Sequence, residues 1–409
     1  MKNYKIINHC QISGSKKLHK ILDLGFLPPV NQMFNINEKN IHQNFFETGL
    51  FFCEKSKLVQ INTIVDKKIV FPKNYPYTSS TTKILRDNFE ELANEIRKNY
   101  KLKKKFIVDI GSNDGNLLSF FKKDFKVLGV TPEDIGKIAI KKGIPTILDY
   151  FDGNVVKKIK KKFGKPDIIT ATNVFAHIEN PKKILKNILS LLDDNGLFVS
   201  ESHYLIPLIK DLQYDTIYHE HLRYYSLSSL RYFFSLMNLR IIDAKKIPTH
   251  GGSIRVTATK NKKLKQSKNV LKILKEEKKF LNFQRLKKFK DDVVLSKLKL
   301  NKLLFSLKKS KKRIFGISAP SRAATIINYV GIDENIIENI LEIKGSKKIG
   351  KYLPGTKIPI FEESILYKEK PHYVLIFSWH ISKQIILNLK KNGYKGKFII
   401  PLPNPKILK

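Results

Sequence analysis

FIVDIGSNDGNLL, residues 106–118, runs from a short β-rich apolar stretch through a glycine turn into a helix start. Downstream, KVLGVT (126–131), DIITATN (167–173) and GLFVSES (196–202) read as further strands, with a helix between the last two that ends near Leu192. Strands alternating with helices predict an α/β fold: a central Rossmann-like domain with a parallel, doubly wound sheet. Ligands of such sheets lie at the carboxyl ends of the strands. Gly111, Thr131 and Asn173 fall there.

Upstream, Thr82 to Asn99 carries Ile84, Leu85, Phe89, Leu92 and Ile96 at helical spacing. Residues before about 80 read as irregular, because Ser13-Gly14, Pro28-Pro29, Pro72 and Pro76 break up short apolar runs. After the turn Thr249–Ser253 comes a strand, IRVTATK. Residues 260–312 are lysine-rich, contain no Gly or Pro, and read as a helical connection. RIFGIS, a helix from Arg322 to Tyr329, YVLIFSW and KFIIPL then predict a second α/β unit. The expected divisions are a small module over 1–80, the central domain over 81–260 and the last domain over 261–409.

A length of 409 residues suffices for two or three cores. The net charge of +41 comes from 77 basic against 36 acidic residues. The excess is mostly Lys and is spread along the chain, so it reads as a solvated surface and not as a specific nucleic-acid site. Cys10 and Cys53 are the only cysteines, which implies no disulfide framework and fits a reducing cytoplasm. MKNYKIINHCQ has no apolar signal core, and no run approaches the roughly 18–20 apolar residues of a membrane span. A cytoplasmic protein, monomeric or dimeric, is expected.

The turn Gly111–Gly115 lacks the G-x-G-x-x-G of dinucleotide folds and the G-K-[ST] of a P-loop, which argues against NAD and ATP. Asp109 and Asp114 put negative charge beside it. That repels a pyrophosphate and suits a cationic ligand such as S-adenosylmethionine, with its sulfonium and ammonium. A second signal is QYDTIYHEHLRYYSL, 213–227, with two histidines, a glutamate and four tyrosines. So dense a group of titratable side chains suits proton transfer.

Over nearly its whole length the chain resembles the sugar C-methyltransferases that act on nucleotide-activated deoxy-keto-sugars. The resemblance lies in LDLGFLPPVNQ (22–32), NYPYTSS (74–80), DIGSNDGNLL (109–118), ATNVFAHIEN (171–180), QYDTIYHEHLRYYSL, PTHGGSIRV (248–256) and KYLPGTKIPI (351–360). It implies an amino-terminal zinc-binding module, an adenosylmethionine-binding domain and a carboxy-terminal domain that helps hold the sugar nucleotide. By this match Asp109, Gly111, Asn113, Asp114, Gly115, Thr131, Asn173 and His177 are the expected cofactor contacts.

The reaction so implied is removal of a proton beside a ketone, followed by attack of the enolate carbon on the sulfonium methyl. It needs a base, a donor to the enolate oxygen and tight alignment. His221 is the first choice of base, with Glu220 to orient a histidine. Tyr218 and Tyr77, ahead of Tyr75, are the donors to the oxygen. His219 is the alternative base or a substrate contact, since only one of two adjacent residues faces the substrate if the segment is extended. His250 is a further substrate contact.

Three positions depart from the family. Where it has two C-x-x-C pairs, this chain has Cys10 with Ser13 and Cys53 with Ser56. Four thiolates bind zinc; two thiolates and two hydroxyls are not expected to, so no metal site is predicted. His9 is the nearest substitute ligand. Thr131 stands where many methyltransferases have an acid for the ribose, with Glu133 or Asp134 as replacements. In GISAPSRAA, Arg322 takes the place of a lysine beside a helix start, where a nucleotide phosphate would sit. The competing readings are an NAD-dependent sugar-nucleotide oxidoreductase or epimerase, and a nonenzymatic nucleic-acid-binding protein.

Overall fold

A computed structural model describes residues 3–71 and 83–409. The strand Phe106–Ile110 is buried at all five positions, as a strand covered on both faces must be. It lies inside a seven-stranded sheet ordered 240–247, 253–259, 197–203, 168–172, 106–110, 126–130 and 146–147. Five of these strands run parallel. The expectation of a parallel sheet needs one correction. Ser253–Thr259 pairs antiparallel with both Leu197–His203 and Arg240–Ile247. Arg240–Ile247 is joined to it by a short turn, which reverses the chain where a helical crossover would have kept its direction.

The strand order reverses at Phe106–Ile110, between the neighbours 126–130 and 168–172. The crevice at this switch point is where a doubly wound sheet receives its ligand. After the glycine turn the sequence offers a helix over Asn116 to Lys123, but the helix is one turn long, Asn116–Ser119. Lys83–Asn99 covers the sheet, burying Leu85, Phe89, Leu92 and Ile96. It is tied down by a buried network. Arg255 bonds Glu201 and Glu95, each at 2.6 Å, and Asn88 Oδ1 at 2.9 Å.

The amino-terminal residues are not irregular. His19–Leu27, Phe46–Cys53 and Leu58–Ile61 form an antiparallel sheet. Register shifts between Lys20 and Leu22, and between Asp23 and Phe26, break the inside–outside alternation that would have marked the first strand. Its fourth strand comes from far along the chain, with Arg223 paired to Gln60 and Tyr224 to Val59. Arg223 is buried and bonds Gln11 of the module and the carbonyls of Phe175 and Ile178.

The lysine-rich span is helical as expected, over Lys268–Glu277 and Phe283–Lys309. The last sheet has the order 360–362, 340–342, 314–317, 373–376, 397–400 and 406–408, parallel except for the final strand. Its own switch point lies at Ile314–Ile317, and the helix Ser321–Val330 follows. Among the described residues no helix is long and apolar enough to cross a membrane.

Candidate active site

The glycine turn is built tightly. Gly111 has φ +73°, and a Cβ there would lie 2.3 Å from Val174 Cγ2. Gly115 has φ +77°, and a Cβ would lie 2.7 Å from Ile144 Cδ1. Both positions therefore require glycine for packing and for backbone conformation. Asn113 between them is also left-handed, at φ 51°.

The two acids beside the turn are less free than expected. Asp109 accepts from Thr170 Oγ1 at 2.6 Å. Burial pushes its pKa up to about 7, the Thr170 hydrogen bond opposing and Glu201 adding to the shift. Asp114 is buried against the Lys142 ammonium at 3.3 Å. Much of the negative field of the turn is thus neutralised inside the protein. Ser112 Oγ and Asn116 Nδ2 are buried without a hydrogen-bond partner among the described residues. Unsatisfied polar atoms in this turn fit a polar ligand laid across the strand ends.

Thr131 follows the strand Lys126–Val130 and donates to Glu133 Oε2 at 3.3 Å. An acid thus stands two residues after Thr131 and in contact with it, while Asp134 pairs with Lys137 on the surface. Burial raises the Glu133 pKa, against the Thr131 hydrogen bond. Asn173 is left-handed at φ 57° and donates its N–H to Glu201 O.

His177 leads from this crevice to the second signal. A carbonyl only accepts, so His177 Nδ1–H donates to Glu220 O at 2.7 Å, and His221 Nδ1–H donates to Thr216 O at 3.0 Å. In both rings Nε2 is left with the lone pair. The two imidazoles are 5.0 Å apart by ring centroid, and Tyr218 lies against His221 at 4.2 Å. Burial holds His221 well below its ordinary pKa, with the neighbouring His177 and His203 adding to the shift. His177 falls to about 4, again chiefly by burial.

His219 turns its Nε2 edge to the amino-terminal sheet. Thr48 Oγ1 donates to Phe46 O, so it accepts from His219 Nε2–H at 3.1 Å, and Phe46 packs on the ring. The segment is a turn and not a strand, yet the two histidines still part: one toward the amino-terminal sheet, the other toward His177. Glu220 receives His177 on its backbone carbonyl, and its carboxylate turns to the amino-terminal module. It accepts from Asn31 Nδ2 at 2.6 Å, and Asn31 also reaches Ser321. Tyr77 and Tyr75 lie outside the described residues.

Arg322 is likewise not a free cation at a helix start. It is buried, 3.6 Å from Asp215 Oδ2, and donates to His250 O at 3.2 Å. Trp379 Nε1 donates to the same Asp215 oxygen at 2.7 Å. His250 is left-handed at φ 57°, and burial lowers its pKa to about 4, helped by the Arg322 charge.

Three residues escaped the sequence reading. Gln213 Nε2 donates to Gly251 O at 2.7 Å, which turns its Oε1 to His203 Nε2 at 3.0 Å. His203 therefore carries its hydrogen on Nε2, and its buried Nδ1 has no partner among the described residues. His203 ends the strand Leu197–His203 at its carboxyl end, a position that marks it only once the strand is known. Lys348 is the third. Its ammonium donates to Ala319 O at 2.6 Å, and burial lowers its pKa against the pull of Glu342 and Glu220. No motif surrounds it.

Three family models match in succession. One described as "Putative zinc binding domain" covers residues 10–71, a methyltransferase domain covers 79–244, and a C-methyltransferase C-terminal domain covers 248–403. C-methyltransferase NovU of Streptomyces niveus is 26% identical over 413 residues, spanning 98% of this chain and 97% of the relative. Among solved structures, magnesium protoporphyrin IX methyltransferase from Synechocystis is 13% identical over 43% of this chain and 83% of its own, with a TM-score of 0.35. A Pyrococcus horikoshii protein, PH0226, is 16% identical over 47% of this chain and 97% of its own, also at 0.35. Scores this low carry no weight for the chemistry. The three models succeed one another in a single order, and one curated C-methyltransferase aligns with nearly all of it: the chain is an S-adenosylmethionine-dependent methyltransferase, similar along nearly its whole length to a C-methyltransferase.

Proposed function

We propose that this C-methyltransferase methylates a carbon next to the ketone of a nucleotide-linked deoxysugar, with His221 as the base. The observation that carries the reading is the His221 ring. Its Nδ1–H is held by the Thr216 carbonyl, which leaves the Nε2 lone pair available beside His177 and Tyr218. Burial keeps the ring neutral at physiological pH, the form a base must have before the reaction.

His221 Nε2 takes the proton from the carbon beside the ketone, and the C–H electron pair passes into the enolate. The Tyr218 hydroxyl, whose pKa burial raises well above normal, stays protonated and donates to the enolate oxygen. Tyr77 shares that role in this reading. Glu220, held by Asn31, fixes the segment that carries His221 and stabilises the imidazolium once formed.

S-adenosylmethionine supplies an electrophilic methyl on sulfur. The turn 111–115, Glu133 with Thr131, and Asn173 would hold it. Lys348 and the Arg322–His250 contact line the side toward the last domain, where the nucleotide is accommodated. The two-domain division of labour, with donor on the central sheet and nucleotide on the last, belongs to the same reading.

The test pairs calorimetry with turnover. S-adenosylhomocysteine should bind the protein where NAD does not. His221→Ala should keep that affinity and lower methyl transfer to a keto-deoxysugar nucleotide by about 10²–10⁴-fold, the usual contribution of a positioned acid–base group. Full activity in the variant would remove His221 from the mechanism. Transfer only to acceptors without a ketone would overturn the substrate class.

A further inference from the structure

The four positions Cys10, Ser13, Cys53 and Ser56 come together in the amino-terminal module as two facing knuckles. The first turns at residues 10–15, where Cys10 N–H bonds Ser15 O at 2.8 Å and Gly14 N–H bonds Cys10 O at 2.9 Å. The second follows the strand Phe46–Cys53 and leads into Leu58–Ile61. Both sulfurs are buried.

The hydrogen bonds cross from knuckle to knuckle. Ser56 Oγ lies 3.2 Å from Cys10 Sγ, and Ser13 Oγ lies 3.5 Å from Cys53 Sγ. Each serine oxygen also takes a backbone N–H: Leu58 N–H reaches Ser56 Oγ at 3.4 Å, and Ser15 N–H reaches Ser13 Oγ at 3.3 Å. In each crossed pair the hydroxyl and the thiol share one hydrogen, which either can donate. Ser13 N–H approaches Cys10 Sγ at 3.4 Å, as an N–H approaches sulfur in a knuckle. Burial raises the Cys53 pKa, but the bonds from Ser13, Ser56 and Cys10 outweigh it and leave the thiol below its ordinary value.

This donor set does not fit the zinc that the matched domain's description suggests. Structural zinc takes four Cys or His ligands, and a neutral serine hydroxyl is a poor substitute for a thiolate. Among the described residues no group of three or more His, Cys, Asp or Glu stands ready to hold a metal. We propose that Cys10, Ser13, Cys53 and Ser56 form a hydrogen-bonded clasp that closes the module without a metal, and that the two serines alone separate it from a zinc site. Two crossed Ser–Cys hydrogen bonds stand where four metal–sulfur bonds would, and the module does not depend on metal supply or respond to chelators.

Three full-length proteins test this. The parent chain, purified with zinc present, should contain well under one zinc per chain and keep its Tm in chelator. Ser13→Cys/Ser56→Cys should take up one zinc per chain and acquire a chelator-sensitive Tm. Ser13→Ala/Ser56→Ala should lower the Tm by about 2–4 °C or more, since it leaves buried sulfurs unpaired. One tightly held zinc in the parent, with Tm falling on its removal, would overturn the proposal. So would failure of the double-cysteine protein to bind zinc, or an unchanged Tm in the double alanine.

Discussion

His219 and His221 are neighbours of the same type with opposite commitments. His219 gives its ring hydrogen to Thr48 and closes the joint with the amino-terminal sheet, while His221 gives its Nδ1 hydrogen to the Thr216 carbonyl and lies beside His177. His219→Ala should accordingly lower the Tm and spare kcat. His221→Ala should do the reverse, and a matched assay of Tm and turnover on both separates them. YHEH advertises this chemistry through composition alone, but it cannot say which histidine faces which way. That depends on Thr48 and on the Thr216 carbonyl, and only the fold brings the first of these near. His203 was illegible for a related reason. A histidine closing a strand looks like any other until Gln213, pinned by Gly251, fixes its tautomer. Gln213→Leu removes that constraint; we expect turnover to fall about 10-fold or more with S-adenosylhomocysteine affinity kept, in line with other groups that orient a functional side chain. Unchanged turnover would make His203 a packing residue.

The element that most depends on one interaction is the helix Lys83–Asn99. Arg255 and Glu201, both buried, link it to two strands of the central sheet, with Asn88 and Glu95 completing the network. Removing one member leaves a buried charge without its partner. Arg255→Ala should cost about 3–5 kcal/mol, measured by chemical denaturation. A loss below about 1 kcal/mol would mean that water reaches Glu201. The sequence shows this helix clearly, because its apolar residues recur at the right period, and it shows the β–turn–α unit at 106–118 for the same reason. It conceals the strand His19–Leu27, whose two register shifts erase the alternation, and it conceals Arg240–Ile247, where RIIDAKKI mixes apolar and charged residues without strict order. It also overextends the helix after Gly115, since nothing in NLLSFFKK marks a stop at Ser119.

At the scale of the molecule, buried histidines set the response to acid. His177, His219 and His250 sit near pKa 4 and His203 near 3, each lowered chiefly by burial, and His221 is also well below normal. The unfolded chain takes up protons below about 6.5 that the folded chain refuses. The histidines' contribution to stability is therefore complete above that pH and is lost as the pH falls toward 4. Asp109 acts in the opposite sense. Its pKa near 7 makes the folded state bind a proton that the unfolded state releases until about 3.8, so it adds stability as the pH falls through this interval. Asp109→Asn should then lose Tm more steeply than the parent between pH 7 and 5; parallel curves would show that Asp109 titrates normally.

The short strand Arg223–Tyr224 has a consequence in time. It completes a sheet whose other strands end by Ile61, so about 160 residues of chain separate the last two partners. A ribosome working from the amino terminus releases the module one strand short, with the edge Leu58–Ile61 open, and closes it only after most of the central domain has emerged. The module is thus synthesised ahead of the central domain yet finishes folding only with it, and the strand that follows YHEH is the piece that finishes it.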